Sequence, residues 1–344
     1  MTLSERKKRI LQVIVHDYIS SAEPVGSRTI SRRYKLSLSP ATIRNEMADL
    51  EDLGYLEQPH TSAGRIPSQR GYRFYVDSLM EKPVLKKEEI AAIERIIQQA
   101  KEQAKRKDID KLITQVSRTL SSLTRYTSLI VGPKYKESAI KQLKILPLDQ
   151  DQGLIVLVTD TGFVKHRVIK LPLNLNKEEL EQIVSYLNFR FSGLTIDKIT
   201  ARLLREVRTD LIKHMDILKE TLNLIEETSG NQDARLFLGG TTNILNQPEF
   251  RDIQKVKNLL ELFEEGSLLS GFLGNINPEG IAVLIGEENK LDEIRDCSLI
   301  ITAYRLGDKK EGTIGILGPT RMEYARVIAM LNCLVTKLDD ILSE

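Results

Sequence analysis

The sequence contains no tryptophan, 5% aromatic residues, two cysteines and four histidines in 344 residues. Cys297 and Cys333 stand far apart in apolar segments with no C-x-x-C spacing. That argues against a disulfide framework or a zinc site and fits a reducing compartment. His16, His60, His166 and His214 are scattered and form no metal-ligand pattern. No apolar run is long enough to span a bilayer and the start shows no signal-peptide pattern, so a cytoplasmic protein without membrane attachment is expected. Excess charge of either sign is also missing, with 50 basic against 48 acidic residues and a net charge of +2. A surface for a polyanion must therefore be local. Catalytic signatures are equally scarce. Gly239-Gly240 and Gly271-Phe272-Leu273-Gly274 lack the phosphate-loop pattern and read as turns. The neighbours Glu264-Glu265 and Asp339-Asp340 diverge on a helix and cannot act as an acid–base pair. No Ser-His or Cys-His arrangement follows from spacing. No enzyme, no cofactor and no metal are expected.

The length predicts two or three domains. The most informative stretch runs from Ser39 to Leu56 and predicts one helix with both ends marked. Ser39 is a strong N-cap, Pro40 suits the first helical position, and Gly54 suits a left-handed C-terminal stop. Ile43, Met47, Leu50 and Leu53 form an apolar stripe at helical spacing. The opposite side carries Ala41, Thr42, Arg44, Asn45 and Ala48, and becomes acidic only at Asp49 and Asp52. Small, amide and guanidinium side chains near a helix start suit a major groove, where Arg forks onto guanine and Asn onto adenine. Taken alone, the same helix also reads as an amphipathic element with a solvated polar face.

Its neighbours sharpen the reading. Thr2 and Glu5 form a capping box that starts a helix to about Ser20, with Arg6, Lys7, Lys8 and Arg9 in its first turns. A loop over 21–26 leads to a short helix from Ser27 that carries Arg28, Arg32 and Arg33 outward. Three helices joined by short turns make a helix-turn-helix arrangement. Residues 1–35 hold eight Lys or Arg against three acids, a local excess of five that the balanced total conceals. Beyond Gly54 the period changes. Residues 55–59 and 65–67 flank turn chemistry at His60-Thr61-Ser62-Ala63-Gly64, which predicts a small hairpin, or wing, with proline at both stems. Thr42, Arg44 and Asn45 are the candidate base readers. Arg28, Ser39 and Ala41, with His60, Thr61, Ser62, Gly64, Arg65 and Arg70 around the hairpin, are the candidate backbone contacts. A hairpin with solvated arginines, and a first module that binds protein and not DNA, are the alternatives.

Pro24-Val25-Gly26-Ser27-Arg28-Thr29-Ile30, the run 39–56, and Pro59 to Ser68 followed by Gly71-Tyr72-Arg73 and Tyr75-Val76-Asp77 resemble the HrcA family of bacterial heat-inducible transcription repressors. The resemblance runs the full length and is strongest over residues 1–80. It implies a homodimeric repressor of chaperone operons, bound to an inverted-repeat operator called CIRCE. It also implies a GroEL-type chaperonin partner that keeps the repressor competent.

Downstream, a helix over Ser68 to about Met80 stops at Pro83. A helical stretch from Lys86 carries Ile90, Ile93, Ile97, Ala100 and Ala104, a two-heptad seam that suits either a second subunit or the chain's own core. It is interrupted at 105–108 and resumes with Leu112, Val116, Leu120 and Leu123. Strand signals follow at 129–131, 154–158 and 163–169, then at 281–285, 299–304 and 313–317, the last two joined by a charged turn over 305–312. A final helix is expected from Thr320 to about Leu342. The expected class is a multidomain α+β protein: an N-terminal winged helix-turn-helix over 1–80, a helical linker over 81–125, and an antiparallel sheet domain over 126–173 and 274–344, interrupted by a mainly helical 174–273. The resemblance names the sheet domain GAF-like and the interruption an inserted dimerisation domain. Because GAF-like folds often bind ligands, a small-molecule sensor is the alternative function.

Overall fold

A computed structural model of the chain describes residues 3–34, 38–60, 63–81, 84–105, 109–132, 139–148, 151–160, 164–172, 175–195, 217, 219–221, 223–225, 235–276, 278–306 and 309–342. The chain is mixed helix and sheet with antiparallel strand pairing throughout its sheets, an α+β class. It forms two compact units, Met1–Gly132 with Leu236–Glu344, and Pro133–Arg235.

The larger unit begins with α1 (Glu5–Ser21), α2 (Ser27–Arg33) and α3 (Pro40–Asp52). Ser4 caps α1 by accepting from the Lys7 amide; the expected cap, Thr2, lies outside the described residues. Ile10, Leu11 and Ile14 of α1 meet Ile30 of α2 and Ile43, Met47 and Leu50 of α3 in one core. Gly54, at φ +75°, ends α3. Its amide reaches the Glu51 carbonyl and the Tyr55 amide the Leu50 carbonyl, the paired bonds of a Schellman stop. β1 (Leu56–Glu57) and β2 (Ile66–Pro67) pair antiparallel, and α4 (Gln69–Phe74) follows. The expected helix to Met80 stays α-helical only to Phe74. A π turn over Tyr75–Leu79 continues it, and Pro83 lies outside the described residues.

α5 (Lys87–Lys105) and α6 (Ile109–Thr124) form a hairpin of helices, and residues 106–108 between them lie outside the described residues. Ile93 and Ile97 of the heptad seam are buried, and α5 packs on α6 and on the C-terminal helix of the same chain. β3 (Thr127–Val131) then enters a five-stranded sheet with β7 (Leu236–Gly239), β8 (Ile281–Ile285), β9 (Cys297–Leu306) and β10 (Lys309–Pro319), in the order β7-β3-β10-β9-β8. All five residues of β3 are buried, because α6 and a later helix over Gly266–Asn275 both pack on it. α8 (Ile253–Glu264) and α9 (Gly266–Asn275) precede β8. α10 (Tyr324–Leu342) packs on β9. It starts later than Thr320, leaving Arg321 free of the helix to bond elsewhere. The turn between β9 and β10 is also tighter than 305–312: the strands extend to Leu306 and from Lys309. Burial pushes the Cys297 thiol, on β9, up to about 12, so it stays protonated and inert.

The smaller unit holds β4 (Ile140–Pro147), β5 (Gln152–Thr159), β6 (Val164–Lys170) and α7 (Lys177–Phe191). The hairpin β5–β6 was expected to share a sheet with β8, β9 and β10. It pairs instead with β4, a strand the sequence reading missed, in a separate meander. The physical reason is local: Leu143, Ile145, Ile155 and Leu157 on one face are buried with Leu180, Ile183, Leu187 and Phe191 of α7. Asn188 reinforces this by bonding both the amide and the carbonyl of Leu143, at 2.7 and 2.8 Å. Among the described residues no helix is long and apolar enough to cross a membrane.

Glu89 of α5 is the buried end of a clamp. It accepts from Arg326 of α10 at 2.7 Å and from the Lys86 amide at 2.8 Å. Burial raises the Glu89 carboxyl, but the Lys86 amide and Arg326 outweigh it and hold the group below the usual range. A carboxylate lowered on folding adds stability above its unfolded value of about 4.3, and that stability is lost as pH falls through the lowered folded value. Between about pH 5 and pH 3 the wild type should therefore lose more stability than Glu89→Gln, as read by urea denaturation at each pH.

Candidate nucleic-acid interface

The start of α3 is built as an open end. Ser39 accepts from the Thr42 amide at 3.1 Å and its hydroxyl lies 2.9 Å from that of Thr42. Ser39, Ala41, Arg44 and Asn45 are exposed and Thr42 is half-buried, while Ile43 and Met47 between them face the core. The candidate readers Thr42, Arg44 and Asn45 thus all lie off the buried face of α3, and of the three only Arg44 lines the groove described below.

The hairpin is fixed beside this helix by two devices. Val25, in the turn before α2, exchanges both backbone hydrogen bonds with Arg65 at 2.9 Å. The approach is so close that a Cβ at Gly64 would stand 2.4 Å from the Val25 carbonyl oxygen, so glycine is required there. The Arg65 guanidinium pairs with Glu51 of α3 at 2.7 Å, its side chain only 19% exposed. A groove of about 620 Å³ results, lined by Gly26, Ser27, Arg28, Arg44, Met47, Gln58, Ala63, Gly64 and Arg65. It brings Arg28, Arg44, Gly64 and Arg65 together from three separate segments.

Other predicted residues fall elsewhere. Arg70 donates to the Leu53 carbonyl at 2.9 Å and lies 4.7 Å from the Tyr55 ring centroid, at the opposite end of α3 from the readers. His60 is exposed, and its carbonyl accepts from the Ala63 amide at 2.8 Å, a turn role. Thr61 and Ser62 lie outside the described residues.

The basic run of α1 is largely consumed inside the fold. Lys7 bridges Glu46 and Asp49 of α3, both at 2.8 Å, and Arg6 joins Glu46 at 3.3 Å. Hydrogen bonds to Asp49 and Glu46 hold Lys7 above the usual lysine range. Arg33 pairs with Asp17, whose carboxylate is buried. Arg28, Arg32 and Arg44 make no ion pair among the described residues, and neither does Arg9 of α1, which donates to Gln12. Sequence reasoning missed Val25 and Glu51. Both lie within the motifs quoted above, but their roles were not legible because each acts through a partner that is distant in sequence.

The comparisons agree with a regulator. The family profile "HrcA protein C terminal domain" matches residues 110–328. The chain is 48% identical over 338 residues to the heat-inducible transcription repressor HrcA of Natranaerobius thermophilus, covering 98% of this chain and 96% of that one. It is 44% identical to the HrcA repressor of Desulforamulus reducens, covering 98% of this chain and 96% of that one, and 43% identical to that of Brevibacillus brevis, covering 99% and 98%. A crystal structure of a hypothetical protein shares the fold with a TM-score of 0.65 at 26% identity, over 99% of both chains. These relatives define the class as negative regulators of transcription, which is not an enzyme class. Within that class the chain belongs to the HrcA family of heat-inducible transcription repressors.

The Arg65–Glu51 pair makes a direct prediction. Arg65→Ala and Glu51→Ala should each destabilise the fold, and the double variant by less than their sum, with a coupling of about 1 kcal/mol in a urea double-mutant cycle. Additive losses would remove the pair as a brace.

Proposed function

We propose that residues 1–80 act as a winged helix that binds an inverted-repeat operator of the CIRCE type, upstream of chaperone genes, as part of a homodimer. One observation carries this reading: Arg44 and Arg28, both without an ion pair among the described residues, line the same groove beside the exposed first turn of α3. In this reading Thr42, Arg44 and Asn45 read base edges from the major groove. Arg28, Ser39, Ala41 and the first-turn amides of α3 hold phosphates, with Gly64 and Arg65 at the hairpin edge. Two such heads on a twofold axis meet two half-sites about one helical turn of DNA apart, or a multiple of it, which demands an inverted repeat. The five-stranded sheet and its helices serve as the GAF-like domain, and the inserted dimerisation domain, expected over 174–273, is taken instead as the residues between strands β3 and β7.

A chaperonin of the GroEL type completes the proposal as the partner that keeps the repressor competent. The strand pairing gives it a physical motive. β3 pairs with β7 across more than a hundred intervening residues and with β10 across a still longer separation. Non-local pairing of this kind folds slowly and exposes apolar surface on the way. When misfolded protein occupies the chaperonin, less repressor reaches its active form and the chaperone genes switch on.

Mobility shifts at two salt concentrations, on an inverted repeat and on random DNA, test the DNA part. Arg44→Ala should lower discrimination between the two by about 1–3 kcal/mol, whereas Arg28→Ala should weaken both alike and reduce the salt slope by about 1. Equal losses on both DNAs for Arg44→Ala would remove it as a reader. For the chaperonin part, refolding from urea should be slow and incomplete alone and should improve with chaperonin and ATP. Rapid, full recovery by the isolated chain would end that part of the proposal.

A further inference from the structure

A short helix, α4, links the first three helices to the five-stranded sheet. Arg73 donates to the Val283 carbonyl of β8 at 2.6 Å and forms an ion pair with Glu288, in the turn after β8, with Nε 2.8 Å from Oε1 and a second contact through Nη2. One turn earlier, Gln69 accepts from the Glu287 amide at 2.9 Å. Its side chain lies over Gly286 so closely that a Cβ there would come within 2.2 Å of the Gln69 amide carbon. Between these two residues Tyr72 is buried, its ring centroid 6.0 Å from that of Tyr324. A second fastening reaches α1, where Arg321 donates to the Ile19 carbonyl at 2.6 Å while pairing with Glu249.

The same short helix also holds α3. Ser68 caps α4 and donates its hydroxyl to the Gly54 carbonyl at 2.6 Å, just past the end of α3. Arg70 adds its bond to Leu53. A continuous line of polar contacts therefore runs from the C-terminal end of α3 through α4 to the end of β8. None of these contacts involves Arg28, Thr42, Arg44 or Asn45. The backbone path out of α4 is less regular, since it passes through the π turn over Tyr75–Leu79.

We propose that this clasp, with Arg73 and Glu288 at its centre, is a positioning device that sets the separation and phase of the two α3 helices in the dimer, and so selects the half-site spacing of the operator. The inference rests on the paired DNA-binding reading above. Each added base pair turns one half-site about 34–36° around the DNA axis relative to the other. A head fixed to the body at α4 meets both half-sites only at the spacing its seat dictates. A head held mainly by its chain connection follows the DNA and accepts several spacings.

Full-length protein and a DNA series with identical half-sites and stepwise spacers test this, together with a single half-site. The wild type should prefer one spacer over its neighbours by about tenfold or more. Arg73→Ala and Glu288→Gln should bind the single half-site within about twofold of wild type, but flatten the spacer preference to about twofold. The exchanged pair Arg73→Glu with Glu288→Arg should regain part of the preference, which a folding defect would not produce. Unchanged spacer preference in the single variants overturns the inference. So does a loss on the single half-site as large as the loss on paired sites, because the clasp would then be a folding contact. A wild type with no preference for paired over single half-sites overturns the dimeric reading itself.

Discussion

The antiparallel pairing of β3 with β10 is the constraint on which the larger unit depends. It joins residues 127–131 to residues 313–317 and places a wholly buried strand at the centre of the chain's two ends. β3 also pairs with β7, so the chain leaves the sheet after residue 131 and returns at residue 236 with its hydrogen bonds already specified. Once β3 is in place, α6 and α9 have a surface to cover, α10 closes over β9, and α5 gains the groove in which Ile93 and Ile97 are buried. A register error at β3 would turn its side chains over and disturb every one of these contacts.

Charge is distributed with the same economy. The chain is nearly neutral, yet its N-terminal helices are rich in arginine and lysine. Most of that charge on α1 is answered within the fold: Lys7 and Arg6 hold the acidic flank of α3, and the buried Asp17 is met by Arg33. The first two orient α3 against α1 and the third ties α2 to α1, while among the described residues Arg28, Arg32 and Arg44 make no ion pair. Arg65 stands between the two groups. It borders the groove, but its guanidinium already braces the hairpin through Glu51. A basic cluster in a sequence thus divides, on folding, into charge that builds a surface and charge that the surface offers.

Much of the N-terminal architecture was legible because its signals are short in range. Ser39, Pro40 and Gly54 mark the ends of α3 through hydrogen bonds made within one or two turns, and Ile43, Met47 and Leu50 mark its buried face through a 3.6-residue period. The hairpin was legible from proline and glycine. The final helix starts later than Thr320, because Arg321 pairs with Glu249 and the Glu323 amide donates to the Tyr126 hydroxyl. β4 was missed, although Leu143 and Ile145 are buried, because lysine, glutamine and proline between and beyond them blur its alternation.

By itself the sequence determined where most helices and strands lie and which face of α3 is apolar. These are decided by capping, turn chemistry and periodicity, all of which act over a few residues. Only the tertiary structure decided that Val25 pairs with Arg65, that Glu51 occupies the hairpin arginine, that Ile93 and Ile97 of α5 are buried within their own chain, and that β5–β6 leaves the main sheet for β4. The first three join residues whose separation carries no local signal, and the last rests on β4, whose alternation is blurred. Their partners are fixed by how whole elements pack, and that information exists only once the core has formed.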